Sequence, residues 1–387
     1  MTPKMQSGAI ITVSASLFAA ALGTVHAFSV FVAPFEQVFG ASRSSVSLTY
    51  SLALVCLTIA VLAGHTFYAR WSAARFLIGA TILGVVGLIV AGMATSLPMV
   101  WFGYSLCFGV ANGLGYGFGL QLAAQANRGN EGLAMGVVTA AYALGAVLAP
   151  APFEMLITLG GPGAAMFGLA AALGVIGLVS AIVLTRSGAR YTASSGTTAN
   201  GATSVFWRVL VWVGYFGGVM AGLMVIGHAA GIDAMFRPGG AAWVAPALLA
   251  ACNLLGSLVG GRAADRFSAR TSLTVIPVMT FLSLLALSIY GGANSVLVCI
   301  GAIGFAYGAT IAVYPSVIAK TVGPEASAMV YGRVFTAWGA AGLAGPWLAG
   351  ALFDWKGTYF VAFLVAAFMA AISILAAGIV FRRQVQE

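Results

Sequence analysis

Charge is what this sequence has least of. Of its 387 residues only 6% are charged and 8 are acidic, against 61% apolar. Soluble domains carry about 25% charged residues. So few charges exclude a water-facing surface for most of the chain, and the solvent that remains is lipid. Cysteine and histidine are scarce too. The four cysteines, Cys56, Cys107, Cys252 and Cys299, fall in apolar stretches, with no CxxC and no Cys/His pair at ligand spacing. That excludes a disulfide framework and a zinc site read from spacing. No metal and no cofactor is expected. The glycine run Gly113-x-Gly115-x-Gly117 has no Lys-Ser/Thr after it, so it is no phosphate loop. No convergent nucleophile, metal or acid/base set is legible, and an intramembrane enzyme is not expected.

Long apolar runs are plentiful. Crossing the hydrocarbon core takes about 20 apolar residues in a helix. Twelve stretches qualify, near 9–35, 45–67, 76–96, 98–124, 132–158, 163–185, 206–230, 241–261, 271–291, 294–319, 328–353 and 358–381. The first is too long for a signal-peptide core and reads as a retained helix. The runs are apolar throughout, which excludes the short alternating strands of a membrane barrel. Breaks such as Gly160-Gly161-Pro162-Gly163 carry turn residues.

With the N-terminus inside, 14 Lys and Arg fall on the cytoplasmic side, and three, Arg43, Arg237 and Lys356, fall outside. The net charge of +9 is thus read as membrane orientation, not as a nucleic-acid surface. Both termini are expected in the cytoplasm. The compact loops suit a bacterial inner membrane, with lipid as the surrounding partner and a monomer as the expected state.

An offset of 196 residues pairs Gly64 with Gly260, Arg70 with Arg266, Gly136 with Gly332, Tyr142 with Trp338 and Pro150 with Pro346. The expected organisation is an all-α membrane protein of twelve transmembrane helices in two pseudo-symmetric six-helix halves, 1–186 and 205–387. A Ser/Thr/Gly-rich cytoplasmic linker, 187–204, joins them. Repeats of this kind bind substrate near the bilayer midplane at the repeat interface.

The stretch Gly261-Arg262-Ala263-Ala264-Asp265-Arg266-Phe267-Ser268-Ala269-Arg270 resembles the Gly-x-x-x-Asp-Arg-x-Gly-Arg loop of the major facilitator superfamily. The resemblance implies a conformational latch at Asp265, Arg266 and Arg270. The first-half equivalent has Ala69 at the acidic position. Tyr331-Gly332-Arg333-Val334-Phe335-Thr336-Ala337-Trp338-Gly339, running on to Asp354, is similar to the branch that holds the oxalate/formate antiporters and the monocarboxylate transporters. So is Asn112-Gly113-Leu114-Gly115-Tyr116. In that branch an arginine of span eight binds the substrate carboxylate, and a lysine of span eleven assists in the oxalate transporter. Ser257 and Trp338 occupy those places here. A dicarboxylate is therefore disfavoured, and a neutral or aromatic solute competes with a monocarboxylate.

Candidate substrate contacts are residues near mid-span: Asn112, Tyr116, Tyr142, Asn253, Tyr307 and Trp338, with Tyr331 and Phe335 on the face of Trp338 by their spacings of four and three. The bland alternative for each is packing or an interhelical hydrogen bond. His26 is the candidate proton carrier. Arg333 is a candidate for the inner mouth, the alternative being a snorkelling side chain. His65 and His228 lie near helix ends and read as interfacial. The expected function is secondary active transport of a small organic solute, most readily a monocarboxylate, by alternating access. Uniport, proton symport and exchange all remain open. Efflux of a neutral or amphipathic molecule, or a transport-dead sensor, are the alternatives.

Overall fold

The computed structural model describes residues 3–68, 70–192, 204–293 and 295–383; for 3–7, 65, 265, 324–326, 328 and 381–383 it describes the backbone alone. The described chain is helical almost throughout, and it divides into two compact units. The first comprises Met1–Ala41 and Leu52–Ser195, the second Ser42–Ser51 and Gly196–Glu387. In chain order the helices are α1 (Pro3–Gly23), α2 (Val32–Phe39), α3 (Arg43–Tyr68), α4 (Ala73–Gly92), α5 (Leu97–Val100), α6 (Gly109–Ala126), α7 (Glu131–Leu148) and α8 (Pro150–Arg186). Then follow α9 (Val205–Ile226), α10 (Ala229–Phe236), α11 (Val244–Arg266), α12 (Ala269–Tyr290), α13 (Val296–Val322), α14 (Pro324–Lys356) and α15 (Phe360–Arg383).

Ten stretches among the described residues are long and apolar enough to cross a membrane. One of them, Glu131–Ser187, is 57 residues long and holds two of the expected crossings. They part at Gly160 and Gly161, where φ of +76° at Gly161 breaks the helix just before Pro162. Only glycine takes that backbone cheaply. The expected crossing 328–353 lies within the 33 residues of α14. Two crossings are less regular than their apolarity predicts. The first passes through a 3-10 stretch, Thr24–Phe31, between α1 and α2. The fourth begins with a π-helical stretch, Trp101–Phe108, between α5 and α6.

Lipid-side and core faces are sorted by size, since both are apolar. On α15, Leu364, Phe368 and Leu375 are exposed while Ala362, Ala366, Ala367, Ala370, Ala376 and Ala377 are buried. Small residues inside let backbones approach, which is how helices associate where lipid removes the hydrophobic drive. In the first unit α1 packs on α6 and α7. A Cβ on Gly23 would strike the carbonyl of Tyr142, and one on Gly145 the carbonyl of Ala20. In the second unit α11 packs on α13, with Gly256 against the Phe305 carbonyl and Gly308 against the Asn253 carbonyl. Helix starts are capped by serine: Ser72 accepts from Arg75 N–H, Ser204 from Trp207 and Ser268 from Thr271.

The segment 187–204, expected to be a flexible linker, is held at its start. Gln125 donates to the Thr192 carbonyl (2.8 Å) and accepts from its N–H (3.0 Å). Tyr191 packs edge-on against Tyr68, with centroids 5.4 Å apart. Residues 193–203 of the expected linker lie outside the described residues.

Because backbone opposes Gly145, no side-chain shift can relieve a larger residue there. Gly145→Val is expected to destabilise by about 1–3 kcal/mol or more, read as a lowered melting temperature in detergent. Gly136→Ala, with open space around it, is expected to leave melting unchanged.

Candidate substrate site

Each unit holds a cluster of aromatic and polar side chains in its apolar interior. In the first, Asn112 on α6 is fully buried and engaged from both ends of its amide. Its Nδ2 donates to the Leu22 carbonyl of α1 at 2.6 Å, and its Oδ1 accepts from the Tyr142 hydroxyl of α7 at 3.1 Å. A buried amide left unpaired costs about 1–3 kcal/mol, so this side chain ties three helices together. Tyr116 lies 4.5 Å from Tyr142, centroid to centroid. Its hydroxyl meets Thr139 Oγ1 at 3.2 Å. Thr139 itself donates to the Met135 carbonyl, so Tyr116 is the donor. His26, in the 3-10 stretch, meets Tyr142 edge-on at 5.7 Å.

In the second unit, Trp338 Nε1 on α14 donates to the Tyr307 hydroxyl on α13 at 2.9 Å. Phe335 lies parallel to Trp338, with centroids 5.4 Å apart and planes 6° apart. Tyr331 follows at 5.8 Å from Phe335, and its hydroxyl meets that of Tyr215 at 3.4 Å. The spacing of four and three on α14 therefore does build one aromatic face. Asn253 is half-buried on α11, where Gly308 of α13 comes against its carbonyl.

The two clusters share a plan. An aromatic at equivalent places in the repeat, Tyr142 or Trp338, donates to a polar group on the preceding crossing, Asn112 or Tyr307. Under the offset of 196 the acceptors differ by one position.

Other expected residues fall elsewhere. Arg333 is exposed, in a groove of about 280 Å³ lined with Arg208, Val205, Val209, Trp212, Val330 and Val334. Arg266 and Arg270 are exposed at the end of α11 and the start of α12. The side chain of Asp265 lies outside the described residues, so the latch has no described geometry. The Lys320 ammonium, from α13, donates to the Ala264 carbonyl at this helix end. An apolar cavity of about 580 Å³ in the first unit, with Phe67, Arg70 and Trp71 among its lining, contains none of the expected residues.

His228 lies between the ends of α9 and α10, as expected, and is buried there with both ring nitrogens hydrogen-bonded, to the Tyr359 hydroxyl at 3.0 Å and the Pro346 carbonyl at 2.8 Å. Its place next to a glycine after a long apolar run hid this, because the partners lie 131 and 118 residues away.

The fold is similar to that of a bacterial homologue of the human lysosomal transporter Spinster. The inward-facing, unoccupied structure of that homologue matches with a TM-score of 0.72 and 12% identity, over 98% of this chain and 97% of that one. Its occupied structure matches with a TM-score of 0.71. The sequence model of the Major Facilitator Superfamily matches residues 233–387. The chain is 24% identical over 331 residues to the uncharacterized MFS-type transporter YhjX of Escherichia coli (strain K12), covering 82% of each. It is also 24% identical over 317 residues to MFS-type transporter 1 of Ophiocordyceps sp. (strain BCC 1869), covering 79% of this chain and 69% of that one. These likenesses show the fold, and over residues 233–387 a similarity to the sequence model of that superfamily.

Removing the Tyr142 hydroxyl takes one bond from Asn112, whereas removing the amide takes two. Tyr142→Phe is expected to cost about 0.5–1.5 kcal/mol and Asn112→Leu more. The order of the two melting temperatures in detergent checks it.

Proposed function

We propose that this chain is a secondary active transporter of major facilitator type that moves a small organic solute by alternating access, with 1–186 and 205–387 as its two bodies. The observation that carries the reading is the pair of repeat-related clusters, Tyr142–Asn112 and Trp338–Tyr307. In an interior this apolar, polar tips on aromatic rings offer hydrogen bonds and flat apolar surface together. Tyr116 extends that surface in the first unit, and Tyr331, Phe335 and Asn253 extend it in the second. A monocarboxylate would take the Tyr142 and Trp338 hydrogens in exchange for their bonds to Asn112 and Tyr307, together with a proton supplied at His26. Exposed Arg266 and Arg270, with Asp265, are the proposed latch, and Arg333 the inner-mouth cation. The chain is taken to lie in a bacterial inner membrane with both ends in the cytoplasm.

A second reading is favoured by Ser257. Its hydroxyl donates to the Gly308 carbonyl at 3.1 Å, so it is committed to helix packing and does not replace the absent cation. That favours a neutral or amphipathic solute, whose efflux is the second reading.

Uptake of labelled lactate, pyruvate or formate into proteoliposomes, with and without a pH gradient, separates the two. The first reading predicts uptake that rises with an inward proton gradient. It also predicts a KM raised about tenfold by Trp338→Ala, the equivalent of about 1.4 kcal/mol of lost binding, and loss of pH-driven uptake in His26→Gln. No uptake of any of the three, with lowered drug accumulation in expressing cells, supports efflux instead.

A further inference from the structure

A directed chain of hydrogen bonds runs through His228. The Pro346 carbonyl can only accept, so His228 Nε2 carries a hydrogen (2.8 Å). With the ring neutral, Nδ1 is then an acceptor and takes the Tyr359 O–H (3.0 Å). The Tyr359 oxygen in turn accepts from Arg43 Nη1 (3.0 Å). The Arg43 guanidinium lies over the Phe353 ring, 3.8 Å from its centroid. Beside it, the Asp354 carboxylate accepts the backbone N–H groups of Arg43 (2.9 Å) and Ser44 (2.8 Å). That carboxylate caps the first turn of α3 at its positive end. All of these residues belong to the second unit.

A proton on Nδ1 reverses one link. Both ring nitrogens then donate, and the Tyr359 oxygen must take the imidazolium as well as Arg43 while its own hydrogen turns away. The new charge also stands one hydroxyl from a guanidinium. The charged groups facing the ring are Arg43 from α3 and Asp354 from α14. On α10, Asp233 and Arg237 pair with each other at 3.4 Å. Burial pushes the Asp233 carboxyl up and Arg237 pulls it back. Asp354 is the acceptor that an imidazolium would draw from its cap on α3.

We propose that His228 is a proton-binding site, and that its occupation releases the start of α3 from Tyr359 and Asp354. Charge patterning puts this end of α3 on the outer side, where protons enter a symporter. That use in coupling rests on the transport reading, whereas the site itself does not.

Pulsed electron–electron resonance tests it, with spin labels on Ser42→Cys and Trp355→Cys in a chain whose four native cysteines are replaced by alanine. Burial lowers His228 to about 4, so acidification from about pH 7 to about pH 3.5, a range that extends below ordinary histidine titration, is expected to raise the long-distance population about fivefold, a shift that population arithmetic allows for a modest differential affinity. His228→Gln, neutral at every pH, is expected to hold the short distance throughout. Tyr359→Phe is expected to show the long distance already at the higher pH. A distribution in the unmutated chain that ignores pH overturns the proposal, as does a full response in His228→Gln. If that variant does not fold, a full pH response in Tyr359→Phe overturns it equally. Uptake with a flat distance profile would remove the site and leave the transport reading standing. A distance change without uptake would do the reverse.

Discussion

Backbone hydrogen bonding in a medium without water is the constraint on which the rest depends. An unpaired N–H or carbonyl in hydrocarbon costs several kcal/mol, so the chain spends nearly all its described length in helices. Once every segment is helical and apolar on all sides, hydrophobicity no longer decides which face turns inward. Size decides instead. On α15 six alanines face neighbouring helices and Leu364, Phe368 and Leu375 face out, with Phe363 the large residue turned inward. The contacts of Gly23 and Gly145 with facing carbonyls are the limit of this rule. They make the α1–α7 seam close and intolerant of larger residues.

The same constraint governs polar side chains. None of the buried groups described in the two clusters is idle. Asn112 ties α1, α6 and α7, Trp338 ties α14 to α13, and Ser257 ties α11 to α13. A residue can hold helices and meet a solute, but it meets the solute only by exchanging one bond for another. His228 follows the same logic with a proton as the incoming group. Its bonds are complete in one protonation state and must rearrange in the other.

Much of this was legible in the sequence because it follows from local composition. The crossings came from apolar run length, the break at Gly160–Gly161 from turn residues, and the aromatic face of α14 from helical spacing. The repeat pointed to Tyr142 and Trp338 together, and the structure places each in a hydrogen bond to the preceding crossing. Irregular backbone was not legible. Thr24–Phe31 and Trp101–Phe108 are as apolar as ordinary helix, and nothing in their composition marks the 3-10 and π-helical turns. Long-range polar partners were hidden as well. Nothing near His228 in the chain announces Tyr359, and nothing near Arg43 announces Asp354. The contacts at the start of the expected linker were hidden for the same reason, since Gln125 and Tyr68 reach it from far away in sequence.

An even number of crossings underlies the two-body account, the assignment of inner and outer ends, and the side from which a proton reaches His228. Labelling single cysteines at Thr2→Cys and Gln386→Cys with a membrane-impermeant maleimide tests it directly, in intact cells and in inverted vesicles. Both positions are predicted to react in inverted vesicles and to be silent in cells. Reaction of one terminus in cells and the other in vesicles would contradict the account.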